Sequence, residues 1–275
     1  MNINELERIL PQVEKPTRYI GGEWNSVIKD PAKTALRVSL VFPDLYELGL
    51  GNLGLQILYA ILNDMEDVWA ERAYLPGPDM EKQLKKRNLP LFMLESKEPL
   101  AVADAVGFTL QSELTYVNVL KVLELAELPL FSEERDEEIP LIFAGGPGAY
   151  NPEPLAPFID FFVVGDGEEV IVEIAQCMIR HKTATRRRKL EALAAIEGVY
   201  VPCLYSVETR EDGSIAPCMD TKIKARFVRS LNDTAFPKRM ITPYMQMIHD
   251  GVGIEVLRGC THGCRFCLAG MINRP

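Results

Sequence analysis

Apolar and polar positions fall into two periods along the first two thirds of the chain. Five short runs, 37–42, 67–73, 103–109, 141–144 and 161–164, are rich in apolar residues and poor in charge. That is the pattern of strands buried on both faces of a parallel sheet. Between them the pattern is helical over 52–63, 78–87, 115–126 and 168–181. Segment 52–63 opens on a potential asparagine cap, and 78–87 follows the turn Pro76-Gly77-Pro78. Repeated strand–helix units predict an α/β, doubly wound parallel sheet with right-handed crossovers. After Lys189 the pattern changes. A short helix over 189–196 precedes a strand-like run at 198–207, a polar turn at Glu211-Asp212-Gly213 and a second strand-like run at 222–229. A further apolar strand is expected at 253–257. The chain thus divides into an extension (1–34), a sheet domain (35–182), a β-rich connector (183–250) and the start of another domain (251–275).

Composition narrows the class. Of 275 residues, 47% are hydrophobic and 25% charged, which excludes a mainly disordered chain. Thirty Lys and Arg against 39 Asp and Glu give a net charge of −9, so nucleic-acid binding driven by bulk charge is not expected. No apolar run reaches the roughly 18 residues of a membrane span. The start, MNINELERILPQVEK, lacks the basic and apolar segments of a signal peptide. A cytoplasmic protein without membrane contact is expected. The acidic stretch Glu133–Glu138 reads as a solvated loop, and Arg186–Lys189 as an exposed helix start.

Six cysteines without a signal peptide read as reduced thiols. Cys177 and Cys203 read as small buried hydrophobes, and Cys218 carries no information. The remaining three are close together. Cys260, Cys264 and Cys267 make a C-x-x-x-C-x-x-C loop directly after the expected strand 253–257. Three thiolates on so short a loop can converge on one point. A cubane iron–sulfur cluster needs four terminal ligands, so three cysteines leave one iron open to a substrate. Gly259 and Gly263 favour a tight loop. Two other readings stay open at this point: a Cys₃His zinc site completed by His262, and a chance group of free thiols.

The cysteine segment resembles the signature of the radical SAM superfamily, with Phe266 in the aromatic position before the last cysteine. The resemblance implies a 4Fe-4S cluster on Cys260, Cys264 and Cys267, with S-adenosylmethionine (SAM) chelating the open iron. It implies one-electron cleavage of SAM to a 5′-deoxyadenosyl radical that abstracts substrate hydrogen. It places Phe266 beside the SAM adenine and implies a reducing electron donor such as flavodoxin or ferredoxin. The implied fold is a full or partial (β/α) barrel whose first strand precedes the cluster loop, as active-site loops follow barrel strands generally.

The preceding domain resembles cobalamin-binding domains, which are flavodoxin-like. Their Asp-x-His-x-x-Gly motif falls on Asp44, Tyr46 and Gly49, with tyrosine in place of the histidine that ligates cobalt. Ser112-Glu113-Leu114 and Gly145-Gly146 match the later Ser-x-Leu and Gly-Gly landmarks. Val164-Gly165-Asp166-Gly167-Glu168-Glu169 resembles the Gly-Glu-Gly-Glu segment of cobalamin-dependent radical SAM proteins. The resemblance implies that Asp44, Tyr46, Gly49, Ser112, Gly145 and Gly146 line a cobalamin-type pocket. A domain of the same fold without cofactor is the competing reading, because such turns are common in any βα sheet.

Only eight residues follow Cys267, whereas a full barrel takes about 250. The chain therefore reads as the N-terminal part of a longer radical SAM enzyme, inactive alone, its barrel truncated after the first strand. The substrate stays unknown, a large RNA or protein included. A non-catalytic sensor module and a zinc-binding interaction domain are the alternative functions.

Overall fold

The computed structural model describes residues 3–218, 222–232, 234–248 and 251–273. Residues at the bounds of the expected extension, connector and last domain (1–2, 249–250, 274–275) lie outside these. Six strands form one sheet: β1 (Leu36–Phe42), β2 (Val68–Tyr74), β3 (Ala105–Thr109), β4 (Leu141–Gly145), β5 (Phe161–Val163) and β6 (Val199–Tyr200), in the order β2-β1-β3-β4-β5-β6. The first five are parallel. Leu36 stands opposite Val68, Val38 opposite Ala105, Ala105 opposite Leu141 and Phe143 opposite Phe161. β6 closes the edge antiparallel, with Phe162 opposite Tyr200. The order 2-1-3-4-5 is flavodoxin-like, and its direction reverses between β1 and β3.

The helices are α1 (Ile3–Ile9), α2 (Tyr46–Gly49), α3 (Leu53–Asp64), α4 (Pro78–Arg87), α5 (Tyr116–Leu125), α6 (Glu168–Arg180), α7 (Arg186–Leu193) and α8 (Ala269–Ile272). α3 packs beside α6, and α4 beside α5, as expected when the winding reverses and covers both sheet faces. α3 starts where the Asn52 side chain accepts the Leu55 N–H at 2.9 Å. α4 has proline in its first turn, Asp79 and Glu81 near its start, Lys85 to Arg87 in its last turn, and Asn88 closing it in the left-handed region. No helix among the described residues is long and apolar enough to cross a membrane.

Several expectations are corrected. The run 253–257 forms no strand: Ile254 is 74% and Val256 86% exposed, because no neighbouring strand among the described residues takes up its backbone. The run 222–229 contributes only a bridge between Arg226 and Gly165. The connector instead carries the hairpin β7 (Val207–Thr209) and β8 (Ile215–Pro217), turning through the expected polar segment. The run 198–207 breaks at Pro202 into β6, a 3-10 turn and β7, so Cys203 is exposed rather than buried.

The short connector helix begins at Arg186, not Lys189, because the Thr185 hydroxyl caps it. Arg186 is buried. It bonds Asp160 at 2.6 Å and the carbonyls of Asp136, Ile139 and Pro140. Arg135, in the acidic stretch read as solvated, is also buried, 3.2 Å from the same Asp160.

Candidate functional site

A cleft of about 380 Å³ opens at the C-terminal ends of the parallel strands. It lies where the winding reverses, the place where open α/β sheets take ligands. Its floor is apolar, from Leu40, Phe108, Phe143 and Val163 on the strands and Ile57, Leu58, Val170 and Ile171 on α3 and α6. Its rim is rich in glycine: Gly54, Gly107, Gly145, Gly146, Gly165 and Gly167. Two of these combine a positive φ with a backbone neighbour too close for a Cβ. Gly146 has φ +97°, and a Cβ there would stand 2.8 Å from the Leu110 carbonyl oxygen. Gly165 has φ +109°, and its Cβ would fall 2.0 Å from the Arg226 carbonyl oxygen.

The charged groups at the cleft are few, and Asn52, Thr109, Gln111 and Asn273 add uncharged polar side chains. Asp166, Glu168 and Glu255 are its carboxylates and Arg258 is its one lining cation among the described residues. Arg258 is saturated by them. It lies 3.1 Å from Asp166 and 2.8 Å from Glu255, and forms two bonds to Glu168, one of them at 3.3 Å. The bonds to Glu255 and Glu168 hold its guanidinium well above the usual arginine range. Tyr150, on the turn after β4, also borders the cleft.

Arg258 ties the cysteine loop to the sheet. Gly259 follows in the left-handed region at φ +85°, and Glu255, Leu257, Ile272 and Asn273 form one wall of the cleft. The loop closes on itself where the Cys260 N–H donates to the Asn273 carbonyl at 3.1 Å, and the Cys267 N–H donates to the Cys264 carbonyl at 3.1 Å. All three cysteines are free thiols; Cys264 is exposed and the other two half-buried. The donor set suits a thiophilic metal or cluster. No three His, Cys, Asp or Glu side chains among the described residues stand ready around one metal ion, so the loop must draw in to hold one. Phe266 is 92% exposed and packs on nothing that would fix its ring.

Of the residues expected around a cobalamin-type pocket, Gly145 and Gly146 lie on the cleft and the other four do not. Tyr46 is turned into a buried charge network instead. Its hydroxyl donates to Glu23 at 2.8 Å, its ring meets Tyr74 edge-on, and burial together with the Glu23 charge pushes its phenol far above the ordinary range. Arg72, 1% exposed, holds Glu23 at 2.6 Å and Glu95 at 2.7 Å. A buried acid brought in by the N-terminal extension needs donors, and Tyr46 is one. Gly49 is packed under the Tyr74 ring, Asp44 accepts the Leu45 N–H at 2.7 Å, and the Ser112 carbonyl accepts from Thr115. Sequence reading missed Arg258 and Tyr150. An arginine two residues before the first cysteine and a tyrosine after Gly-Gly-Pro-Gly-Ala carry no pattern until the sheet brings them to one opening.

Residues 54–202 match the family described as radical SAM proteins, N-terminal. The chain is similar to an uncharacterized protein of Methanocaldococcus jannaschii, at 23% identity over 246 residues, which cover 88% of this chain and 43% of that protein. It therefore spans less than half the length of that curated relative. Among solved structures, it is similar to the cobalamin-dependent S-adenosylmethionine radical enzyme OxsB with aqua-cobalamin and S-adenosylmethionine bound, at 15% identity and a TM-score of 0.41, over 70% of this chain and 22% of that one.

Proposed function

The chain belongs to the family of radical SAM proteins, N-terminal, and on that premise we propose that it is the part of a radical SAM enzyme that carries the iron–sulfur loop and a cofactor-binding sheet domain. The observation that carries this reading is the fastening of a C-x-x-x-C-x-x-C loop, through Arg258, onto the open end of the sheet. Cys260, Cys264 and Cys267 are the residues that would hold a 4Fe-4S cluster, and Phe266 the one that would border SAM. When bound, cluster and SAM would supply a 5′-deoxyadenosyl radical from one electron, delivered by a donor of the flavodoxin or ferredoxin type.

The chain's own residues have simpler tasks. The three cysteine sulfurs would be the ligands to iron. Arg258 orients the loop by spanning three carboxylates. The apolar floor and Ile272 of α8 would give a seated ligand an apolar surface. Cobalamin is the second cofactor in this proposal. It would rest on the glycine rim, where Gly145 and Gly146 let a ligand approach the backbone. The cleft lining offers no imidazole, thioether or thiol among the described residues, so cobalt would receive no ligand of those kinds from it. The cleft has the volume of a drug-sized group, so one end of so large a cofactor would enter it.

The test is an EPR spectrum of anaerobically reconstituted, reduced protein with and without SAM. A cluster signal that changes shape with SAM is the expected result. Iron and sulfide absent after reconstitution, with zinc bound instead, would reject the reading in favour of a zinc-binding domain. A Cys264→Ala variant should take up markedly less iron and show no SAM-dependent signal.

A further inference from the structure

The turn 165–169, between β5 and α6, serves three parts of the chain at once. Gly165, Asp166, Gly167 and Glu168 line the cleft. The same turn takes up the connector. The Arg226 N–H donates to the Val164 carbonyl at 2.9 Å, and the Asp166 N–H donates to the Arg226 carbonyl at 2.8 Å. The Arg226 side chain spans Glu169 at 2.6 Å and Glu173 at 2.9 Å. The turn also takes up the cysteine loop. Among the described residues, every ion pair from 251–273 to the sheet domain is made by Arg258, to Asp166 and Glu168. Asp166 belongs to both attachments. One of its carboxylate oxygens accepts the Val228 N–H at 2.8 Å, while the other lies 3.1 Å from the Arg258 guanidinium.

These pairs are held partly out of bulk water. The side chains of Glu168, Asp166 and Arg258 are 7%, 13% and 22% exposed, so screening is weaker than on an open surface and the charge-assisted bonds are stronger. The cysteine loop starts and ends on the cleft wall, at Gly259 and Asn273. Its thiols do not yet surround one point, and gathering them costs less chain entropy when both ends of the loop are already fixed. A ligand in the cleft would meet the turn 165–168 on one side and Glu255, Leu257 and Asn273 on the other. It would bind best with the two walls held together. Whatever favours that arrangement favours both events, and the coupling is reciprocal.

We propose that the turn 165–169 is a clamp through which occupancy of the cleft and metal uptake by the cysteine loop assist one another. Asp166 and Glu168 are its positioning residues and act through Arg258. This rests on the reading of the cleft as a cofactor site and of the loop as an iron–sulfur loop.

The experiment compares wild type with Asp166→Asn, Glu168→Gln and Glu169→Gln. Asparagine keeps an acceptor for the Val228 N–H and loses the charge that faces Arg258, whereas Glu169 is bonded on the connector side alone. Two quantities are followed with and without hydroxocobalamin. One is hydrogen exchange of 252–259, which needs no metal. The other is the rate of iron loss to a chelator from the anaerobically reconstituted protein. In wild type, hydroxocobalamin should slow both by about 5-fold or more, and should bind the iron-loaded chain tighter than the iron-free chain by a similar factor. In Asp166→Asn and Glu168→Gln both rates should be several-fold faster and most of the protection lost, while Glu169→Gln follows wild type. Hydroxocobalamin that binds but slows neither rate overturns the coupling and leaves the cleft reading intact. Equal effects from all three variants overturn the assignment to Asp166 and Glu168. Wild-type protein that shows no saturable hydroxocobalamin binding overturns the cleft reading and the coupling together. Protein that takes up no iron overturns the iron–sulfur reading and the coupling with it.

Discussion

Glu47 shows how a single side chain here links charge to stability. It is buried against Arg18 at 2.7 and 2.8 Å and Lys15 at 2.9 Å. Burial alone would raise its carboxyl, but the bonds from Arg18 and Lys15 overcome this and hold it at about 2. A carboxyl whose folded value lies below its unfolded value, about 4.3, stabilises the fold above that value and loses the effect as pH falls towards 2. Glu47→Gln should therefore cost about 2 kcal/mol at pH 7. The gap from wild type should close between about pH 4.5 and 2, as followed by urea melts at several pH values; a gap that persists at pH 2 would refute the ionic account. Arg258 makes a different prediction. Arg258→Ala leaves Asp166, Glu168 and Glu255 facing one another and frees the exposed run 252–257. Limited proteolysis should cut 251–259 several-fold faster, while the melting temperature of the sheet shifts by no more than a few degrees.

At the scale of elements, the turns at the strand ends set the limits on change. Gly165→Ala adds a Cβ 2.0 Å from the Arg226 carbonyl in a left-handed conformation, and should destabilise by about 3 kcal/mol or more. Gly145→Ala on the same rim meets nothing nearer than 3.6 Å, and should melt within a degree or two of wild type. Thermal melts of the pair test whether the rim glycines serve backbone shape or ligand approach. The strands themselves were legible because burial on both faces writes a short run rich in apolar residues, as in LRVSLVF of β1. α3 was legible through its apolar period and Asn52. The apolar run 253–257 carries the same signal, yet pairing is a property of two strands and one sequence run states only half of it. The direction of Tyr46 within Asp44-x-Tyr46-x-x-Gly49 is hidden from the sequence for a related reason. Spacing fixes which residues are near in sequence, but the long-range partner Glu23 decides which way Tyr46 faces. Arg135 and Arg186 look solvated by composition, and it is Asp160, brought in from another loop, together with backbone carbonyls around it, that takes them in.

The whole molecule is held together across the boundary that composition drew at residue 34. Leu6, Ile9, Val13 and Tyr19 belong to the same core as the sheet. Glu23 enters the Arg72 pair, the Tyr59 hydroxyl accepts the Val27 N–H at 2.7 Å, and Lys29 donates to the carbonyls of Met65 and Val68. The extension also meets the connector. Trp24 bridges Thr242, and the Asn25 side chain donates to the Met240 carbonyl at 2.9 Å. Burying four apolar side chains is worth roughly 1.5–3 kcal/mol each, so the extension contributes about 6–12 kcal/mol from this source. That is comparable to the whole stability of a domain, about 5–15 kcal/mol. Deleting residues 1–34 also removes Glu23, and Arg72 is then left on an opened face with Glu95 alone. The deletion should yield a chain with no cooperative melt by circular dichroism, recovered mostly as aggregate on size exclusion. Restoring residues 3–34 as a separate peptide should recover part of the folded signal. A deleted chain that melts cooperatively near the wild-type temperature would show instead that the sheet folds by itself and that the extension only covers it. The Glu23–Arg72 pair would then stabilise the docked extension without being needed for the fold.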